Sequence, residues 1–147
     1  MADEERYAPL RLCNQLCFPL YAASKEILRR YKPVLDEIDL TYTQYITMMV
    51  LWEHGTVSVR DIGRILYLDS GTLTPVLKKL EQKGFIVRRR DSSDERMLDI
   101  SPTEAGMALR ETALGVPGKI ACTIDLTPDE AKFLCGILHK LLGVQEE

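Results

Sequence analysis

No run of 18 apolar residues occurs in the chain, and the opening MADEERYAPL is acidic with no apolar centre, so neither a membrane-spanning helix nor an export signal is predicted. The expected location is the cytoplasm, where thiols start reduced. Histidine is scarce, with two residues, and the four cysteines form no Cys-x-x-Cys pair. A metal site built from Cys13, Cys17, His54 or His139 is therefore disfavoured, and no metal or cofactor is expected. A Gly-rich phosphate loop, a Ser-His-Asp pattern and paired carboxylates are also missing, which argues against an enzyme.

Net positive charge is lacking too, at −3 overall, which at first argues against a nucleic-acid partner. The charge is unevenly divided. From Arg60 to Arg96 there are nine Lys and Arg against six Asp and Glu, whereas the remainder has ten against sixteen. A local basic surplus orients a protein on a polyanion without general stickiness, and its affinity should be modest per subunit and sensitive to salt.

What is present begins with VSVRDIGRILYLDSGTLTPVLKKLEQKG, residues 57–84. Val59, Ile62, Gly63 and Leu66 make one helical stripe, and Leu73, Val76, Leu77 and Leu80 make a second. Between them Asp69 or Ser70 is placed to cap the second helix, which Pro75 requires to start nearby and Gly84 ends. This spacing predicts a helix-turn-helix. The outward face of the second helix carries Ser70, Gly71, Thr72, Thr74, Pro75, Lys78, Lys79 and Gln82. Hydroxyls can meet phosphates or base edges, Pro75 and threonine methyls can meet thymine methyls, and lysines neutralise phosphate. An ordinary solvated helix face would show the same residue types.

Two short β-prone runs follow, Phe85 to Arg89 and Met97 to Ile100, joined by a polar tip. A hairpin after a helix-turn-helix predicts a winged helix, with Arg88, Arg89, Arg90 and Arg96 on a ribbon thin enough for a minor groove. The plainer alternative pairs these arginines with Asp91, Asp94, Glu95 and Asp99. Helix pair, cap, proline and basic wing in this order favour double-stranded DNA as the partner.

Outside this part the chain reads as helix. Residues 10–31 carry a long apolar stripe that includes Cys13 and Cys17 and is interrupted by Pro19. A short helix is expected from Pro33 to Ile38, and then Thr41 or Thr43 caps an apolar helix through Trp52. After the wing, Ser101 or Thr103 caps a helix broken at Gly115 and Pro117, and Thr127 with Glu130 forms a capping box for a last helix ending at Gly143. The expected fold is mainly α with a small β wing, a single domain over 1–147. Residues 53–102 form the DNA-binding part, and residues 10–52 and 103–143 supply helices for dimerisation and sensing. The terminal helices are more apolar than a lone winged domain needs, so a homodimer matched to a palindromic operator is expected; their alternative use is to close the monomer's own core.

The stretch IGRILYLDSGTLTPVLKKLEQKGFIVRRRDSSDERMLDISPTEAG resembles the winged helix of MarR-type regulators, with Asp94 and Arg96 in the wing and Thr103 and Gly106 opening the next helix. NQLCFPLYAAS, the tyrosine of RRYKP, LTYTQY, VLWEHG and LYLDSGTLTP together resemble the organic-hydroperoxide-sensing, OhrR-like branch. The resemblance implies a repressor whose sensor is Cys17, with Tyr31 and Tyr42 as hydroxyl neighbours of the thiolate and Tyr21 contributing from the other subunit. Phe18, Leu20 and Trp52 would line an apolar pocket for an organic hydroperoxide. It further implies that Cys122 falls where some members carry a resolving cysteine from the opposite subunit.

Without the resemblance, two cysteines at i and i+4 on an apolar stripe are more often plain core than reactive. Cys13 is read as core because one turn of a helix is poor disulfide geometry, and Cys135 because it lies on the apolar face of the last helix. The competing function is a MarR-type repressor released by a small phenolic ligand, with all four cysteines structural. A thiol peroxidase would have no use for a basic winged helix.

Overall fold

Thr41, Ser58, Asp69, Thr103 and Thr127 each open a helix with a side-chain oxygen that accepts a backbone N–H left without an intrahelical acceptor. The computed structural model describes residues 5–90 and 98–144, with Arg90 described by its backbone alone. Two short 3-10 turns, Ala8–Leu10 and Leu12–Asn14, precede α1 (Cys17–Asp36) and α2 (Tyr42–His54). Then come β1 (Val57–Ser58), α3 (Val59–Leu66), α4 (Ser70–Gln82), β2 (Ile86–Arg90) and β3 (Leu98–Pro102). Helices α5 (Glu104–Ala113), α6 (Val116–Ala121) and α7 (Pro128–Leu142) complete the chain.

Thr41 and Thr127 open α2 and α7 with full capping boxes, through Gln44 and Glu130. Asp69, rather than Ser70, caps α4, and Thr103, rather than Ser101, caps α5. The strands form one antiparallel sheet in the order β1-β3-β2, with Val57 opposite Ile100 and Arg88 opposite Ile100 on the other side. The core is where α2, α3, α4 and this sheet meet: Met48, Leu51, Ile62, Leu73, Leu80 and Ile100 are fully buried. Each such side chain contributes roughly 1.5–3 kcal/mol of hydrophobic transfer.

Three expectations are corrected. The first long helix starts at Cys17, not at residue 10. Pro19 is then its third residue, where the absent N–H is one of the four that have no intrahelical acceptor in any case. Second, there is no separate helix from Pro33; α1 runs through Pro33 to Asp36. Leu28, Tyr31, Leu35 and Ile38 keep a single apolar period across the proline, and burial of Leu35 and Ile38 outweighs the lost backbone bond. Third, Cys13 lies in a 3-10 turn and Cys17 heads α1, so they do not share a helix, and Cys13 is exposed rather than core. Strand β1 had no signal at all in the sequence, since two residues cannot show an alternation.

The last helix behaves unlike the others. None of its residues is buried; Phe133 is 72% exposed and Leu141 58%, and Cys135 is exposed with them. The expectation that Cys135 is core therefore fails for a single chain.

Candidate functional site

The putting-together of the helix-turn-helix starts at Ser58, whose hydroxyl accepts the Asp61 N–H and opens α3. Gly63 then allows the turn to fold back, because a Cβ there would press on the Leu68 carbonyl oxygen at 2.8 Å. Tyr67 ends α3 in the left-handed region at φ 54° with its ring exposed. Asp69 accepts the Thr72 N–H at 2.9 Å and the Thr72 hydroxyl at 2.9 Å. Leu73, Leu77 and Leu80 point α4 into the core, which leaves Ser70, Thr72, Thr74, Pro75, Lys78 and Lys79 exposed together along its outer face. All six of the helix residues expected to meet DNA thus share one solvent-facing surface.

The Thr72 N–H, and then its hydroxyl, hold the Asp69 carboxyl below the usual range. A lowered folded-state value means that the cap strengthens the fold above the ordinary carboxylate range and is lost as pH falls through the folded value. The reduced protein should therefore grip DNA less well on acidification below about pH 4. Asp69→Asn, which keeps an uncharged acceptor, should flatten that limb in a titration of DNA affinity against pH; an unchanged profile would exclude Asp69 as its origin.

The wing divides its arginines. Arg88 is half-buried and donates from Nε to Glu81 at 2.8 Å, fastening β2 to the end of α4. Hydrogen bonding by Arg88 in turn holds the Glu81 carboxyl low. Of the wing acids expected to pair with it, Asp91, Asp94 and Glu95 lie outside the described residues, and its partner here is Glu81. Arg89 stands exposed opposite Asp99. The side chain of Arg90, and Asp94 and Arg96, lie outside the described residues. Sequence reasoning passed over Arg60 and Arg64, which are exposed at i and i+4 on α3 beside the head of α4. Their spacing was visible, but only the fold places α3 next to the reading helix.

On the opposite side of α2 lies an aromatic cluster. Tyr31 of α1 meets Tyr42 of α2 edge-on with ring centres 4.9 Å apart; Tyr45 is 6.2 Å from Tyr31, and Trp52 is 6.3 Å from Tyr45. Burial first, and then its phenol neighbours, push the Tyr31 hydroxyl above its ordinary value; burial does the same to Tyr42. Both phenols consequently remain protonated donors at neutral pH. Neither hydroxyl has a hydrogen-bond partner among the described residues.

With these two faces in view, the comparisons are informative. The MarR family matches residues 40–98. The organic hydroperoxide resistance transcriptional regulator of Bacillus subtilis is 47% identical over 139 residues, 95% of either chain. The chain belongs to the MarR family. Among solved structures, AbfR, a protein of Staphylococcus epidermidis, matches this MarR-family regulator in its reduced, DNA-bound form with 37% identity and a TM-score of 0.76, covering 95% of this chain and 97% of that one. The disulfide-formed AbfR covers 97% of both chains at 36% identity with a TM-score of 0.63. The backbone of this MarR-family regulator is thus nearer the former, and its architecture is the winged helix of that family.

Cys17 is exposed at the first position of α1, with Tyr21 one turn further on. Tyr31 is fourteen residues down the same helix, roughly 21 Å along its axis, so within one chain it cannot touch the Cys17 sulfur. Within one chain Tyr21 is therefore the near phenol, and the Tyr31–Tyr42 pair expected beside the thiolate is remote. The expected pocket lining divides in the same way, with Phe18 and Leu20 at the head of α1 and Trp52 at the cluster. Cys122, exposed, closes α6, and the next carbonyl, of Thr123, accepts from the Arg30 guanidinium. That level of α1 is roughly 20 Å from Cys17, far beyond the ~7 Å Cα separation a disulfide allows. Among the described residues no three His, Cys, Asp or Glu side chains gather as a metal site, and no helix is long and apolar enough to cross a membrane.

Proposed function

We propose that this MarR-family regulator is a dimeric repressor that reads organic hydroperoxides through Cys17 and then leaves a palindromic operator. The observation that carries the reading is the Tyr31–Tyr42 pair: two protonated phenols, side by side, with no protein acceptor among the described residues. They suit an anionic acceptor brought by a partner, and the partner's Cys17 is the group the distances leave. The uncovered apolar face of α7, with exposed Leu10 and Leu16 near the chain's start, supports an interface that brings the two together. The hydroperoxide-regulator relative and the reduced and disulfide forms of AbfR support the same signal.

The chemistry is balanced in two steps. The Cys17 thiolate attacks the outer peroxide oxygen, the O–O bond breaks, and the departing alkoxide takes a proton to leave as an alcohol. Sulfur is now a sulfenic acid. The partner's Cys122 thiol attacks that sulfur, water leaves, and an intersubunit disulfide forms. Drawing the head of α1 towards α6 of the other subunit shifts the spacing of the two α4 helices, on which grip of two half-sites depends. The outer face of α4, Ser70 to Lys79, meets the major groove, and Arg60 and Arg64 meet phosphates.

The oxidation arm is tested by fluorescence anisotropy on a palindromic promoter fragment. One equivalent of cumene hydroperoxide should release the protein, dithiothreitol should restore it, and the oxidised protein should run as a covalent pair on a non-reducing gel. Cys122→Ser should abolish the covalent pair; if the pair persists, Cys122 is not the resolving thiol.

A second reading has one observation in its favour. A cleft of about 620 Å³ between α3, α4 and β3 has an apolar floor of Val59, Leu68 and Leu73 and arginines 60 and 64 at its rim. A phenolic ligand held there would block DNA without any thiol, and its effect would be indifferent to dithiothreitol.

A further inference from the structure

The aromatic cluster does not end in the core. Beyond Tyr45, the indole N–H of Trp52 donates to the Gly106 carbonyl of α5 at 2.8 Å, fifty-four residues along the chain. Gly106 in turn is pressed against the root of the wing: a Cβ there would overlap the Phe85 carbonyl oxygen and lie 3.2 Å from Cε of Met48. The same root is tied twice more by Thr103, whose N–H donates to the Phe85 carbonyl at 3.0 Å and whose hydroxyl donates to the Gly84 carbonyl at 2.6 Å. Gly84 ends α4 in the left-handed region. The start of α5, the start of β2 and the end of α4 are accordingly held as one block by this close approach and by the two Thr103 hydrogen bonds.

We infer that Trp52 couples the Tyr31–Tyr42 pair to the DNA-reading block, its ring following Tyr45 and its N–H drawing Gly106, and with it the wing root and α4, after it. This rests on the peroxide-sensing reading, since oxidation of Cys17 is the event that alters what the two phenols hold. A displacement of those rings meets Tyr45, which is 4% exposed and has nowhere to move except against its neighbours. Trp52 is the neighbour on the far side, and it alone among the four rings is hydrogen-bonded to an element beyond α1 and α2. Helix α2 also packs directly on α3, α4 and the sheet through Met48 and Leu51. Trp52 adds a directional polar tie to that packing, whereas the Lys83–Asp39 pair at 2.9 Å has an acid that is 83% exposed and is easily screened.

The chain contains one tryptophan, so the link reports on itself. In the wild type, oxidation by cumene hydroperoxide should shift the emission of Trp52 in step with release of the operator. Trp52→Phe keeps a ring but removes the donor. It should still form the Cys17 sulfenic acid, trapped to completion by a dimedone probe, and bind DNA when reduced. Its loss of affinity on oxidation should shrink from a coupling on the order of 5–150-fold to less than about threefold. Release of Trp52→Phe as complete as that of the parent would overturn the assignment. So would an unchanged tryptophan emission in oxidised, DNA-free wild type, a result that does not depend on how the variant folds. If wild type itself is not released by peroxide, the sensing reading fails first, and the coupling falls with it.

Discussion

On the peroxide-sensing proposal, a Cys17→Ser variant should hold its operator through a peroxide treatment that should weaken the parent protein by on the order of a hundredfold, the upper part of the range typical of allosteric coupling. The argument is one of position, not of the thiol alone. Cys13, Cys122 and Cys135 are also exposed, so all four cysteines can meet an oxidant in a single chain. Only Cys17 heads a long helix, and in the dimer proposed above it is the cysteine placed to meet the partner's phenol pair. Serine keeps the size and a hydroxyl for the phenols but cannot be oxidised, so reduced affinity should be unchanged within about twofold while the response disappears. The measurement is anisotropy before and after one equivalent of cumene hydroperoxide, with dithiothreitol as the return step. Equal release of Cys17→Ser and parent would move the sensor to another cysteine or to a ligand site.

Gly106→Ala should cost about 3 kcal/mol of stability, at the upper end for overpacking a closed site, and lower the melting temperature by roughly 10 °C for a chain of this length. One methyl group has this effect because the atom it meets is backbone. The Phe85 carbonyl accepts the Thr103 N–H and cannot retreat without breaking the tie between β2 and α5. Met48 Cε, the other near atom at 3.2 Å, ends a flexible side chain and can yield, so the cost lies with the backbone of Phe85. Reduced DNA affinity should fall as well, since the displaced segment carries the end of α4. Calorimetric melting decides it: a transition within about 2 °C of the parent would mean that α5 slides on the wing root more freely than its packing implies.

The parts of the fold that were legible in the sequence are those set by local chemistry. Asp69, Thr103 and the Thr127–Glu130 box sit where short polar side chains precede apolar periods, and each does cap its helix. The hairpin ran one or two residues later than its β-prone residues indicated, as strand ends depend on pairing rather than on propensity. What was illegible depended on partners distant in the chain. The start of α1 was obscured because leucines and cysteines before Pro19 continue the helical period although the backbone there forms 3-10 turns. Arg88 looked like its neighbours, yet Glu81, seven residues earlier, claims it once β2 lies on α4. For the candidate redox site, the motif picked out Cys17, Tyr31 and Tyr42 as residues but not their spacing in the fold. That Tyr31 lies roughly 21 Å from Cys17 within one chain became visible only with α1 as one helix through both positions.

Pro75, tolerated within α4, leaves a mark on the reading face that no side chain records. With no N–H at position 75, the Gly71 carbonyl loses the donor that a helix places four residues on. Gly71 and Pro75 are both exposed, on the same side of α4 as Thr72, Lys78 and Lys79. In a major groove the base donors such an oxygen could accept from are the amino groups of cytosine and adenine, which would give the main chain a share in the sequence preference. Side-chain exchanges along α4 would retune the remaining contacts, while this backbone acceptor persists for as long as position 75 is proline.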